Sequence, residues 1–219
     1  NHDFMATYPD QQDEMVKKIK SLKTEDQVKI LKYLGCQYYI GNKPLFSQEA
    51  SKKIEAEGFV QYLEKIADGP ARPTVVYDFV PAETWQRRLD IFISPEFDPQ
   101  KTAIVGKNIG FSQKLGGELK GSAIDNYSLD ILEEKAGFSR YKINLPAADL
   151  AIFPGNWAKG WKAWIDGKRV DVFEANLFSK GVVVPKGEHV VRLRYWPDSF
   201  ILGCIISLLS LFSVIVAWA

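Results

Sequence analysis

Three tryptophans stand close together in this sequence: Trp157, Trp161 and Trp164, just before Asp166-Gly167. Indole faces stack on sugar rings, so the cluster is a candidate carbohydrate-binding surface. Packing in a core or against a membrane surface competes with that reading. The alternation in Trp161-Lys-Ala-Trp164 places one of these rings inward and another outward. Asp166 reads first as a turn residue, since Asp-Gly tolerates positive φ between two apolar strands. Asn176 is either a strand-corner anchor or a ligand-facing amide. His189 has no second histidine or cysteine near it and reads as a surface residue.

No catalytic residue emerges. The carboxylates Glu133, Glu134, Asp166 and Asp171 show no spacing that marks an acid–base pair. Gly116-Gly117 and Gly121 are not followed by a phosphate-loop lysine, and no serine occupies a nucleophile elbow. His2 and His189 with Cys36 and Cys204 form no metal pattern. No cofactor and no metal are therefore expected. Lys17-Lys-Ile-Lys20 reads as a solvated helix face. The charge balance, 28 Lys+Arg against 27 Asp+Glu over 219 residues, lacks the basic excess of a nucleic-acid binder. Two cysteines, one of them in an apolar tail, exclude a disulfide framework.

Every charged residue lies before Ser199. The 20 residues from Phe200 to Ala219 carry none, and twelve of them are Leu, Ile, Val or Phe. At about 1.5 Å per residue this run covers ~30 Å, the thickness of a hydrocarbon core. Those twelve favour insertion by roughly 4–7 kcal/mol. Tyr195, Trp196 and Trp218 fit the aromatic belts. Gly203, Ser207, Ser210 and Ala217 share one face, which suits close approach of another membrane helix; tolerated serines in a lone anchor are the alternative. Orientation is not legible from charge, because the positive-inside rule compares two flanks. The chain opens on Asn1 with no secretory leader, so it reads as a processed product or as part of a longer one.

The elements that must position these residues follow from local pattern. Residues 1–70 read as a mixed α/β region. It holds helical composition over 11–21, then a capping box Thr24-Glu-Asp-Gln27 opening a helix with Val28, Leu31 and Leu34 on one side. Gly35 stops that helix, and a short strand follows over 36–40. A further helix is expected over 47–57, while 59–66 is ambiguous. Asp68-Gly-Pro-Ala-Arg-Pro73 marks a break. Residues 71–125 read as a strand-helix-strand connector, with strands at 74–80 and 102–105 and a helix from Pro81 to Ile93. Residues 126–198 read as an antiparallel, jelly-roll-like β-sandwich. Its strands are expected at 127–132, 140–145, 148–153, 161–165 and 169–173, with a last pair, 177–184 and 188–195, joined across Pro185-Lys-Gly187. Residues 199–219 are the transmembrane helix. The fold class is α+β, and the short connector Pro197-Asp-Ser199 holds the sandwich against the bilayer.

Several stretches resemble the C-terminal end of YfhO-like bacterial membrane proteins. They are Gly160-Trp-Lys-Ala-Trp-Ile-Asp-Gly-Lys168, Glu174-Ala-Asn-Leu-Phe178, Val184-Pro-Lys-Gly-Glu-His-Val190 and Arg194-Tyr-Trp-Pro-Asp-Ser-Phe-Ile-Leu-Gly203. Leu34-Gly-Cys-Gln-Tyr38 and Ser94-Pro-Glu-Phe-Asp-Pro-Gln-Lys-Thr102 resemble earlier pieces of the same family. The resemblance implies a relation to C-type glycosyltransferases, which use lipid-linked sugar donors, with a large extracytoplasmic domain before a last membrane helix. The N-terminal membrane region, where catalytic carboxylates are expected, is not in this sequence, so none is carried over. The expected role is non-catalytic, in glycan or lipid-linked sugar contact or in docking. A structural accessory subunit of a larger membrane complex is the alternative. Expected partners are the lipid bilayer, other transmembrane helices and a glycan, but no nucleic acid. The expected location is the bacterial cytoplasmic membrane, with the soluble part extracytoplasmic.

Overall fold

The structure, a computed structural model, describes residues 17–46, 51–56, 59–68, 71–106 and 127–218. It is α+β and centres on two facing sheets. One has five strands in the order β11-β10-β14-β8-β7. These are β7 (Ser128–Lys135), β8 (Phe138–Leu145), β10 (Trp161–Ile165), β11 (Lys168–Val170) and β14 (Gly187–Tyr195). The other has six in the order β4-β9-β13-β12-β6-β5. They are β4 (Thr74–Val76), β5 (Asp78–Pro81), β6 (Thr102–Val105), β9 (Asp149–Phe153), β12 (Phe173–Ala175) and β13 (Ser179–Val184). Period-two patterning builds the space between them. Tyr141, Ile143 and Leu145 of β8 and Val191 and Leu193 of β14 point inward, against Ala151 and Phe153 of β9 and Val182 and Val184 of β13. Each large apolar side chain buried there contributes about 1.5–3 kcal/mol.

Strand β9 is buried at all five positions, because its sheet is covered on both faces. Leu150 and Ile152 join Val76, Ala103, Val105 and Ala175 on the far face. Helices α1 (Thr24–Tyr33) and α2 (Trp85–Ile93) add the next layer, in which Ile30, Leu89 and Phe92 pack with Ile104, Leu177 and Phe178. Arg88 fixes α2 to the sheet: its guanidinium meets Glu174 of β12 at 2.6 Å and donates to the Ala82 carbonyl at 3.1 Å.

Several local expectations are corrected here. Helix α1 begins at Thr24 with Lys23 at its cap and no side-chain cap bond. Gln27 instead donates to the Leu22 carbonyl at 2.8 Å, so the capping box does not form. Pro81 ends strand β5, and α2 starts later, capped by Thr84, whose hydroxyl oxygen accepts from the Arg87 amide at 3.2 Å. Residues 52–56, expected as helix, form strand β2 (Lys52–Ala56) between 47–50 and 57, which lie outside the described residues. Pairing with β3 (Phe59–Lys65) overrides their helical composition, and β1 (Tyr38–Gly41) completes a small antiparallel sheet. Strands β13 and β14 are not a hairpin: β13 pairs with β9 and β12, and β14 with β10 and β8. Pro185 has no amide proton to continue the ladder, and Gly187 takes φ +108°, so the chain crosses to the facing sheet. Strands β4, β5 and β6, from the stretch expected as a connector, belong to the six-stranded sheet. β5 and β6 pair in parallel, with α2 in the connection. Gly116, Gly117 and Gly121 lie outside the described residues.

In the small sheet, Glu64 is 1% exposed. Its carboxylate accepts from the amides of Leu45 and Phe46 at 2.6 and 3.0 Å and from the Ser51 hydroxyl at 2.5 Å. Burial raises its pKa, but the three hydrogen bonds outweigh burial and hold it below the ordinary value.

Candidate functional site at the membrane-proximal end

β14 runs into helix α3 (Asp198–Trp218) through Trp196 and Pro197 alone. α3 is 21 residues long and none of them is buried in the protein. Its length and composition fit a membrane span. Exposure on every side is costly in water and favourable in lipid, so α3 is a membrane segment. The junction is braced. The Trp196 amide donates to the Gly160 carbonyl at 2.8 Å, and the Tyr195 amide to that of Gly137 at 2.7 Å. Lys162 of β10 meets Asp198 at 2.6 Å. A Cβ on Gly160 would lie 2.7 Å from the Tyr195 ring and 2.9 Å from Pro197, so glycine is required for that approach. The end of the sandwich that carries Trp161, Tyr195 and Phe138 therefore adjoins the first turn of α3.

The tryptophans divide around this end. Trp161 lies on the inner side of β10, half-buried. Its indole N–H donates to the Asn156 carbonyl at 2.9 Å, and its ring centre lies 5.6 Å from that of Tyr195. Trp164 lies on the outer face, with the guanidinium of Arg192 at 4.4 Å and that of Arg169 at 5.9 Å from its ring centre. Trp161 and Trp164 thus do not form one platform. Trp157 sits in the segment between β9 and β10, its amide donating to the Phe178 carbonyl at 2.8 Å. That leaves Trp161 on the inner side of the sheet and Trp164 on the outer, with the backbone of Trp157 tied to Phe178.

Sequence reading passed over Lys180. It is in phase with Val182 and Val184 on the inner face of β13 and is 5% exposed. Its ammonium donates to the Pro154 carbonyl at 2.9 Å and lies 4.5 Å from the Trp161 ring centre. Burial pulls its pKa down to about 8, against the upward pull of Glu134. At the opposite end of the same strand pair Asp149, 4% exposed, has its pKa pushed up to about 6 by burial. The inner core thus ends in an ionisable group at each side. A lysine in phase with core valines was the readable signal.

Away from the membrane, Asp166 (φ 49°) and Gly167 (φ 81°) form the expected hairpin turn. Asp166 also accepts from the Val190 amide at 2.8 Å and from Nδ1 of His189 at 2.6 Å, while Nε2 of His189 faces the Lys186 carbonyl at 3.1 Å. Asn176 resolves as a corner anchor: fully buried at φ 53°, it accepts from the Ile104 amide at 2.8 Å and donates to the Tyr33 hydroxyl, itself 2.7 Å from Ser179 Oγ.

Clefts open to solvent among the described residues include the following two. One, about 400 Å³, lies among α1, α2 and the β4–β9 pair, with Tyr33 and Phe92 in its lining and Lys29, Lys32, Arg72 and Asp98 as charged groups. The other, about 550 Å³, lies on the outer face of the five-stranded sheet beside Arg140 and Arg192. Among the described residues no three His, Cys, Asp or Glu side chains stand together as metal ligands. On α3, a Cβ added at Gly203 would meet nothing within 4 Å, and the Ser210 hydroxyl donates to the Ile206 carbonyl at 2.9 Å within the helix.

Residues 139–207 match the family described as bacterial membrane protein YfhO. The match runs from β8 into the first turns of α3, and over it the chain is YfhO-like. No curated protein and no solved structure matches the chain.

Proposed function

We propose that this YfhO-like chain is an extracytoplasmic, non-catalytic module of a glycosyltransferase-related protein of the bacterial cytoplasmic membrane. It holds a glycan or lipid-linked sugar at the bilayer surface. The observation that carries the reading is the braced junction between β14 and α3. With Gly160 against Pro197 and Lys162 on Asp198, the sheet cannot swing freely from its anchor. Trp161, beside that junction, and Trp157 are the sugar-contact candidates, with Trp164 a separate ring on the face opposite Trp161. Affinity for glycan fragments, measured by calorimetry on the full chain in detergent, should fall at least about tenfold in W157A/W161A, a loss of about 1.4 kcal/mol. Unchanged affinity in a variant with native near-UV circular dichroism would reject the sugar contact.

A second reading, a structural subunit docked in a larger membrane complex, is favoured by the unpartnered small-residue face of α3. Gly203, Ser207, Ser210 and Ala217 would admit another helix closely. G203L/S207L should then lose co-purifying membrane partners, and undiminished co-purification would count against it. For orientation, Ser128→Cys in a Cys36→Ser background supplies an exposed thiol on β7. It should react with a membrane-impermeant maleimide in intact cells, and reaction only after lysis would place the sandwich in the cytoplasm.

A further inference from the structure

The outer face of the five-stranded sheet is built against ordinary sheet electrostatics. Arg192 of β14 lies directly opposite Arg140 of β8, and Arg194 directly opposite Lys162 of β10. Like charges in direct cross-strand register destabilise a sheet. Arg169 of β11 adds a cation two strands away, opposite Trp164. Four carboxylates stand near this face and each has a partner: Glu133, directly opposite Arg140 on β7, meets Lys135 at 2.6 Å, Glu188 meets Lys142 at 3.0 Å, Asp198 meets Lys162, and Asp166, which lines the cleft beside Arg140 and Arg192, holds His189 at 2.6 Å. Asp130 lies opposite Lys142, away from the arginine row. Arg192 and Arg194 instead stack on Trp164 and Trp196, at 4.4 and 4.3 Å from the ring centres. Stacking holds a guanidinium plane in place and leaves its N–H edge free for an anion. Between Arg140 and Arg192 lies the cleft of about 550 Å³.

Position selects the anion. Arg194 is four residues from Asp198, where α3 begins, and Trp196 stands between them at interface level. Arg192 and Arg140 are one same-face step further out, about 7 Å, within the Debye length of about 8 Å at physiological salt. We propose that this face binds the phosphate headgroups of anionic lipids in the leaflet beside α3, with Arg140, Arg192 and Arg194 as the phosphate-binding side chains. The inference rests on α3 spanning the bilayer. It assigns the face a ligand separate from the sugar proposed at Trp157 and Trp161.

The test uses the purified full chain in neutral detergent, offered fluorescent phosphatidylglycerol or phosphatidylcholine with matched acyl chains. Phosphatidylglycerol should be retained about tenfold better, and the preference should collapse in R140Q/R192Q/R194Q. It should also collapse for the native chain in about 0.5 M salt. Equal retention of the two lipids, or a preference untouched by the triple variant, would overturn the proposal. Should the variant lose its near-UV circular dichroism, the salt titration of the native chain decides: a preference that survives high salt overturns it. Soluble glycerol phosphate at matched concentration should displace little of the bound lipid; full displacement overturns the lipid assignment in favour of a free phosphate ligand. Loss of both lipids together would overturn the membrane reading of α3 itself, whereas loss of selectivity alone rejects only the arginine face.

Discussion

Lys180 is an ammonium almost wholly removed from water, against the inner core of the sandwich. A lysine whose pKa falls from its ordinary 10.5 to about 8 in the folded state binds fewer protons there than in the unfolded chain between those values. Stability therefore rises with pH across that window, by up to about 3 kcal/mol. Denaturant unfolding followed by tryptophan fluorescence should show this rise in the native chain, and Lys180→Met should flatten it. A native profile level from pH 8 to 10 would refute the assignment. His189 titrates in the opposite sense, and Asp166 in the same sense at lower pH. The Asp166 carboxylate, then the Lys186 carbonyl, raise the His189 pKa, and the imidazolium in turn lowers that of Asp166. The histidine contributes while pH is below about 6.5 and loses its contribution as pH climbs through the raised value. The aspartate loses its own as pH falls below about 4. The clamp is thus strongest between those limits. Proton NMR should place His189 above 6.5, and Asp166→Asn should return it to or below that value. The hairpin role of Asp166 was legible in sequence because Asp-Gly is a local turn signal. Its hold on His189 was not, since 23 residues separate the two. Asn176 was undecidable for the same reason: the Ile104 and Tyr33 groups that fix it are remote in sequence.

At the scale of elements, the strands of the five-stranded sheet were readable wherever one face is core and the other solvent, as in β8 and β10, because alternation is then enforced. It failed where composition and partner disagree. Lys52–Ala56 has helix-compatible residues but pairs with β3, and only the neighbour strand decides. Pro185-Lys-Gly187 looked like a hairpin loop, although a crossing between sheets uses the same residues. The junction with α3 was legible in its shortness but not in its bracing. Gly160 carries the test of that bracing. A methyl there must push on Pro197 and the Tyr195 ring, and overpacking of this kind costs about 1–3 kcal/mol. Gly160→Ala should lower the unfolding midpoint and increase hydrogen exchange at residues 195–197, while leaving α3 inserted. Unchanged exchange at those amides would show that the junction is already loose.

The whole molecule poses the question of where its folding unit begins. The sandwich expected from sequence begins at residue 126, yet the six-stranded sheet takes β4, β5 and β6 from before that point and β9, β12 and β13 from after it. Without the earlier strands, Leu150 and Ile152 lose Val76, Ala103 and Val105 from their face, and β9 and β12 each lose one of their two neighbours. The inner core also loses Val75. Two unpaired strand edges and an uncovered apolar face favour aggregation over folding. The arginine face, by contrast, lies wholly on strands after residue 126, so its residues alone do not reveal this dependence. A fragment of residues 126–219 in detergent should therefore retain α3 but unfold without cooperativity and expose its amides to rapid exchange. A fragment of residues 71–219 should keep a single cooperative transition, weakened by the loss of Ile30 and its neighbours from the helical layer. Cooperative unfolding of the shorter fragment, with near-UV circular dichroism like that of the full chain, would mean that the facing sheet is dispensable. The sandwich would then be a smaller unit than its hydrogen bonding implies.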